Sequence, residues 1–91
     1  METVLALFKV DLGITHTLRD VYFNSLLLSC KGEIEKKGII LDLTNVEDQM
    51  LICDFALWRY RNRTEDIGLS KNLTFRIRNR VMKVRSEYVE A

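Results

Sequence analysis

The sequence contains no proline and only four glycines, so almost every position is free to continue a helix. The glycines are isolated from one another, which is typical of turns and excludes a glycine-rich phosphate-binding loop. No apolar run approaches the roughly 18 residues that span a membrane, so no membrane partner is expected. The opening METVLALFKVD has an acid at position 2 and charges at 9 and 11, which argues against a secretory signal peptide.

Residues with reactive or metal-binding side chains are also scarce. Cys30 and Cys53 lie inside apolar patterns, and we expect them to be reduced, buried thiols. The single histidine, His16, lies in a polar turn far from both cysteines in sequence. A nucleophile needs an adjacent base, and a zinc site needs several nearby ligands. We therefore expect no catalytic residue, no metal and no cofactor.

Charge is unevenly distributed, although the net charge is only +1. Residues 1–58 contain five basic and nine acidic residues, whereas residues 59–85 contain nine basic and two acidic residues. A chain with an acidic part and a basic part is suited to charged partners or to head-to-tail self-association.

Apolar periodicity predicts one all-α domain, residues 1–91, built as a small bundle of about four helices. Gly13 is expected to stop the first helix, and Thr17 with Asp20 resembles a capping box at the start of the second. Thr44 or Asn45 is expected to cap the third helix and Ser70 the fourth, with an extended connection at 39–43. The predicted helices cover residues 2–12, about 18–37, 46–64 and 71–88.

The second helix is long and apolar on more than one side. Phe23, Leu27 and Cys30 share one arc with their neighbours, whereas Leu18, Val21, Tyr22 and Leu28 spread onto other arcs. A helix that is apolar on several sides must be buried on several sides. In so short a chain, this pattern predicts a neighbouring subunit.

The segment DFALWRYRNR (54–63) ends the central third helix with arginines around an aromatic residue. Asp54 lies between two apolar arcs, so we expect it to be partly buried and ion-paired. Arg61, two turns further on, is the predicted partner, and arginines of the fourth helix are alternatives. The predicted pair Asp54–Arg61 is structural and has no acid–base role.

The fourth helix is basic, with Arg76, Arg80 and Lys83 beside its apolar arc and Lys71, Arg78 and Arg85 opposite. These residues favour either a DNA-binding surface or a protein interface. A simple solvated face is a third interpretation. No short helix-turn-helix connection precedes this helix, which weighs against the DNA-binding interpretation.

Taken together, several stretches resemble the small head–tail connector proteins, or head-completion adaptors, of long-tailed bacteriophages and prophages. An opening helix ends in KVDLGI (9–14), and a polar turn with Asp20 leads into a long apolar helix. The central helix DQMLICDFALWRYRNR (48–63) has Tyr60 and Arg63 at the place of the family's Tyr-x-x-Arg pattern. In GLSKNLTFRIRNRV (68–81), Ser70 stands where the family commonly has the proline of a Leu-Pro turn. The resemblance covers essentially the whole chain.

The resemblance implies a non-enzymatic structural role in virion assembly. Such proteins form homo-oligomeric rings on the portal, extend the DNA channel and offer a platform to the next connector or tail protein. Packaged DNA would pass through the channel. The implied location is the head–tail interface of the virion, with the host cytoplasm as the site of assembly.

Contacts with the portal or a neighbouring subunit are expected at the end of the third helix and on the fourth. The proposed role of these side chains is charge-assisted pairing with acidic surfaces. The candidate partner-binding residues are Arg59, Arg63, Arg76, Arg80, Lys83 and Arg85. The alternative is a small helical DNA-binding protein that uses the same basic residues on phosphates.

Overall fold

The computed structural model describes the backbone of residues 1–63 and 68–90 and the side chains of 1–63 and 68–83. This part of the chain contains four helices and no strand, which confirms the predicted all-α fold. None of the described helices is both long and apolar enough to cross a membrane. The helices are α1 (Glu2–Leu12), α2 (Asp20–Glu35), α3 (Val46–Arg61) and α4 (Lys71–Glu90).

Gly13 ends α1 as predicted. Its φ of 72° lies in the left-handed region, where a residue with a side chain would be strained. The Gly13 N–H donates to the Val10 carbonyl at 3.1 Å, and the Ile14 N–H donates to the Lys9 carbonyl at 2.9 Å. This is the Schellman arrangement, which satisfies two of the carbonyls that a helix end leaves free.

The start of α2 differs from the prediction. Arg19 occupies the N-cap position and its side chain makes no capping hydrogen bond. Because the helix begins at Asp20, Thr17 lies two residues before the N-cap, and the capping box of Thr17 and Asp20 does not form. The Asp20 N–H instead donates to the backbone carbonyl of Thr17 at 3.2 Å. The Asp20 carboxylate accepts from Lys9 of α1 at 2.8 Å, a contact between helices that the sequence did not predict.

The end of α2 also comes earlier than predicted. Regular helix ends at Glu35, and a turn continues to Gly38, whose φ is 102°. Glu35 accepts from the Leu41 N–H at 3.2 Å, which holds the following connection against the helix end. This connection, residues 39–43, contains no regular helix or strand, as predicted.

The N-termini of α3 and α4 are capped as predicted. The Asn45 side chain accepts from the N–H groups of Glu47 at 2.8 Å and Asp48 at 3.4 Å. The Ser70 hydroxyl accepts from the Leu73 N–H at 3.3 Å. Helix α3 ends at Arg61, slightly before the predicted Thr64, which lies outside the described residues.

Helix α3 is the centre of the molecule and contacts all three other helices. Its consecutive residues from Leu51 to Leu57, apart from Asp54, are all buried, so the helix is enclosed on most of its circumference. This confirms the prediction of a central third helix. Ile39 and Leu41 of the connection complete the core beside it.

Rings from three helices form the densest part of the core. Phe8 of α1 and Phe23 of α2 are both 0 % exposed, with ring centroids 5.1 Å apart. Tyr60 of α3 packs edge-on against both, at 5.9 and 5.6 Å. These tilted and edge-to-face geometries are the favourable ones for aromatic pairs.

We predict that Phe8→Ala lowers the free energy of unfolding by about 3–5 kcal/mol, because it removes a fully buried ring from this cluster. That is a large share of the roughly 5–15 kcal/mol typical of a whole domain. Urea denaturation followed by circular dichroism would measure it. Leu18→Ala is the control, since Leu18 is 87 % exposed and should change the value by no more than about 0.5 kcal/mol. Equal losses in the two variants would contradict the described core.

Candidate functional site

Three of the arginines predicted to bind a partner are paired within the chain. Arg76 of α4 donates to Asp54 of α3 at 2.8 Å. Arg80 of α4 donates to Asp48, and Arg59 of α3 donates to Glu33 of α2. These contacts join helices within the chain. The three guanidinium groups are therefore already bound to carboxylates and are less available to an acid of a partner.

Asp54 is ion-paired as predicted, but its partner is not Arg61. The two residues are seven positions apart on α3, a rise of about 10 Å, which is too far for side chains on one helix. Arg61 instead reaches α1 and donates to Asp11 at 2.7 Å. Asp54 faces α4 and accepts from Arg76, so the alternative of an arginine from the fourth helix is confirmed.

Asp48 is the one charged residue that is buried in the described part of the chain, at 2 % exposure. Its carboxylate accepts from Arg80 of α4 and from the Asp42 N–H at 2.8 Å. Burial raises the pKa of Asp48, but the two hydrogen bonds and the charge of Arg80 outweigh it and hold the pKa below the ordinary value of an aspartate. One carboxylate therefore ties together α3, α4 and the 39–43 connection.

The other predicted partner-binding residues differ in their surroundings. Arg63 lies over the ring of Tyr60, with its guanidinium carbon 4.1 Å from the ring centroid. Lys83 is exposed and has no ion pair among the described residues. The side chain of Arg85 lies outside the described residues.

Two cations that were not among the candidates are better placed to meet a partner. Lys71 and Arg78 are exposed on α4 and form no ion pair within the described part of the chain. The signal was present in the sequence, because both lie opposite the apolar arc of the fourth helix. Residues beside an apolar arc reach acids on the neighbouring helix, whereas residues opposite it face solvent.

An apolar surface covers the outward side of α2, with the exposed Arg19 at its edge over the Tyr22 ring. Leu18, in the preceding turn, is 87 % exposed, Val21 83 %, Leu28 58 % and Tyr22 43 %. Residues 21–30 contain no charged side chain. We call Leu18, Val21, Tyr22 and Leu28 the α2 face. Some apolar residues of the second helix, such as Phe23 and Leu27, are thus buried in the core, whereas others form this exposed face.

A second, chemically different surface lies on α4. Phe75 and Met82 are 63 % and 58 % exposed and are seven residues apart, so they lie on the same side of the helix. Arg78 lies between them and Lys71 one turn before them on that side. We call Lys71, Phe75, Arg78 and Met82 the α4 face. It combines apolar contact area with positive charge.

The described part of the chain contains no arrangement of side chains suited to metal binding or to thiol chemistry. There, no group of three or more His, Cys, Asp and Glu side chains is arranged to hold a metal ion. Cys30 and Cys53 are buried free thiols. Burial raises the pKa of Cys30 to about 12 and that of Cys53 to about 11, so both are protonated at neutral pH.

No protein-family model, no curated protein and no solved structure matches this chain. The chemistry of its own surfaces is a mainly apolar α2 face with Arg19 at its edge, a basic and apolar α4 face, and arginines paired with acids of neighbouring helices.

We predict that Asp48→Asn lowers the free energy of unfolding at pH 7 by about 3 kcal/mol, the low end for breaking a buried pair, because Arg80 keeps some contact with water. The pKa of Asp48 is lower in the folded protein than in the unfolded chain. The stabilisation is therefore complete above about pH 5 and is lost as the pH falls through the folded-state pKa. The difference between wild type and variant should accordingly narrow in acid.

Urea denaturation at a series of pH values would measure this dependence. Glu47→Gln is the matched control, since Glu47 is the neighbouring exposed acid in the same helical turn and forms no ion pair among the described residues. An equal loss in the control, or a difference that does not change with pH, would contradict the assigned role of Asp48.

We also predict that neither cysteine reacts with an aromatic disulfide reagent at pH 8 in the folded protein, because both thiols are buried and protonated. Two thiols per chain should react at once in denaturant. The absorbance of the released thiolate gives the number of reacted thiols per chain. Single Cys→Ser variants show which cysteine has reacted. Rapid labelling of one cysteine without denaturant would contradict its placement in the core.

Proposed function

We propose that this chain is a structural assembly protein of the phage head–tail connector type. In this role it would join other copies in a ring on the portal, extend the DNA channel and offer a platform to the next connector or tail protein. Its place would be the head–tail interface of the virion, reached from the host cytoplasm during assembly. The proposal combines the sequence resemblance with the two outward surfaces.

The observation that carries the proposal is the presence of two unlike exposed faces on one small bundle. The α2 face is mainly apolar, with one charged residue, Arg19, at its edge, whereas the α4 face combines apolar side chains with Lys71 and Arg78. Helices α2 and α4 each pack against α3, and each face lies on the side of its helix that points outward. A ring requires a heterologous interface, in which one surface meets a different surface of the neighbour. Two unlike faces suit that geometry, and the remaining surface is available to the portal.

Because of the internal ion pairs, the residues that we expect to contact a partner differ from those predicted from the sequence. Arg59, Arg76 and Arg80 already bind acids of the same chain. Lys71, Arg78 and Lys83 are the α4 cations that we now expect to meet acidic surfaces, together with Phe75 and Met82. Aromatic, methionine and arginine side chains are the types enriched in protein interfaces.

DNA binding stays as the second candidate because these same three α4 cations are exposed. If all three neutralise phosphates, log K should fall with log salt with a slope of about −2.7. Such a slope would be shallow, because the paired arginines are unavailable. A surface with only three exposed cations on α4 fits a protein partner better than a specific DNA site.

We predict that Val21→Glu and Leu28→Glu each weaken assembly on the portal by at least about tenfold, because each buries a charge in place of an apolar side chain worth about 1.5–3 kcal/mol. The chain would be mixed with tailless heads from the phage or prophage that encodes it. Sedimentation and electron microscopy would score a ring of added density below the portal. Val10→Glu is the control, since Val10 is 78 % exposed and lies on α1.

If wild-type protein does not bind portal-containing heads but binds duplex DNA with a slope near −2.7, the connector proposal fails and the DNA-binding candidate replaces it. If the ring forms equally well with Glu at positions 21 and 28, the α2 face is not part of the interface.

A further inference from the structure

Tyr60 is contacted by two guanidinium groups. Arg19 donates from Nη1 to the Tyr60 hydroxyl at 2.8 Å, and its Cζ lies 4.9 Å from the ring centroid of Tyr22. Arg63 stacks over the Tyr60 ring and donates from Nη1 to the Tyr60 carbonyl at 2.6 Å. Arg19 precedes α2 and Arg63 follows α3, and both contact the same aromatic ring.

Neither guanidinium is paired with a carboxylate among the described residues. The nearby acids are already bound, Asp20 by Lys9 and Asp11 by Arg61. Six other basic residues in the described part of the chain have a carboxylate partner: Lys9, Lys31, Arg59, Arg61, Arg76 and Arg80. Arg19 and Arg63 differ from the other unpaired cations because both contact one aromatic ring, with Cζ atoms 5.7 and 4.1 Å from the Tyr60 centroid. Like charges this near one ring repel each other, and a bound anion would relieve that repulsion.

Both arginines are held in place and still have donors to offer. Each uses Nη1 for the hydrogen bond to Tyr60, and a guanidinium has five N–H donors in total. The aromatic rings restrict the side chains through cation–π contact. Binding an anion here would therefore cost less side-chain entropy than binding it with two freely moving arginines.

A pocket of about 420 Å³ opens beside Arg63. Tyr22, Leu26 and Trp58 give it apolar walls, and Arg59 and Asn62 contribute polar groups. Those polar groups are already used, since Arg59 binds Glu33 and the Asn62 amide donates to the Trp58 carbonyl at 2.8 Å. Arg63 is therefore the cation of the pocket wall that can still bind an acid.

We propose that Arg19, Arg63 and the pocket bind an acidic peptide segment of a partner protein. A Glu or Asp carboxylate would accept from Arg63 at the pocket wall, and Arg19, which also contacts Tyr60, would add to the positive charge that attracts it. An adjacent aliphatic or aromatic side chain would enter the pocket between Tyr22 and Trp58. The occupant is acidic because the unpaired charges are positive, and it is partly apolar because the walls are. The site adjoins the α2 face through Tyr22. The inference rests on the proposed function only for the identity of the partner as an assembly protein.

The test uses acetyl-Leu-Glu-Leu amide as the probe and acetyl-Leu-Gln-Leu amide as its uncharged counterpart. Titration into ¹⁵N-labelled protein would follow the Trp58 indole and the arginine side-chain N–H signals. We expect millimolar binding of the acidic probe, with the uncharged peptide at least tenfold weaker. Arg19→Gln and Arg63→Gln should each weaken the acidic probe at least fivefold.

Arg78→Gln is the matched control, because it removes an exposed unpaired arginine on another helix and should leave the affinity unchanged. An equal loss in this control would overturn the proposal in favour of general charge attraction. Inorganic phosphate binding as tightly as the peptide would overturn it in favour of a simple anion site. A tenfold gain in affinity for the acidic probe in the double variant Glu65→Gln/Asp66→Gln would show that the chain's own acids occupy the site. That result would also overturn the proposal.

The two proposals fail in different ways. Probe binding by a protein that does not cap portal-containing heads would remove the connector function and keep the acid-binding site. Normal capping by Arg19→Gln and Arg63→Gln proteins that bind no probe would remove the site and keep the function. Circular dichroism of each variant confirms that it is folded before either result is used.

Discussion

The burial of one carboxylate determines how α4 and the 39–43 connection are attached to the central helix. Asp48 lies in the first turn of α3, where the helix dipole favours negative charge, but the enclosure of α3 takes it out of water. A buried carboxylate needs hydrogen-bond donors, and Arg80 and the Asp42 N–H supply them. The same residue thereby fixes α4 and the preceding connection against the central helix.

Other ion pairs, more exposed than this one, also use much of the basic charge within the chain. Acids on α1, α2 and α3 accept from arginines of α3 and α4, so the acidic and basic parts of the sequence largely neutralise each other within one molecule. The outer surface is consequently less basic than the sequence suggests. Recognition then depends on a few exposed cations and on apolar side chains, which separates the α2 face from the α4 face chemically.

Local features were predictable because local chemistry determines them. Gly13 stops α1, and Asn45 and Ser70 cap α3 and α4, because each needs only backbone groups within a few residues. Thr17 was the exception, since the helix begins at Asp20 and leaves Thr17 outside the N-cap position. Trp58 and Tyr60 pack against the core from the end of α3, on helical positions that periodicity alone determines.

Partners of the charged residues were harder to predict, because they depend on how the helices cross. Asp54 was expected to be paired, and it is, but the choice between Arg61 and Arg76 needed the position of α4. The Arg19–Tyr60–Arg63 cluster had no sequence signal, since its residues are separated by 41 positions and meet only after α2 and α3 pack. The exposure of Lys71 and Arg78 was predictable, because both lie on the side of α4 opposite its apolar arc.

The way α4 is attached gives the molecule an internal difference in stability. Leu73 and Ile77 are its buried apolar residues among the described side chains, and two arginine–carboxylate pairs supply much of the remaining attachment. Helices α1, α2 and α3 share the aromatic core and do not depend on these pairs. Opening of α4 alone therefore needs less free energy than global unfolding. Local opening of this protein is thus expected to begin at α4, before the three helices that share the aromatic core unfold.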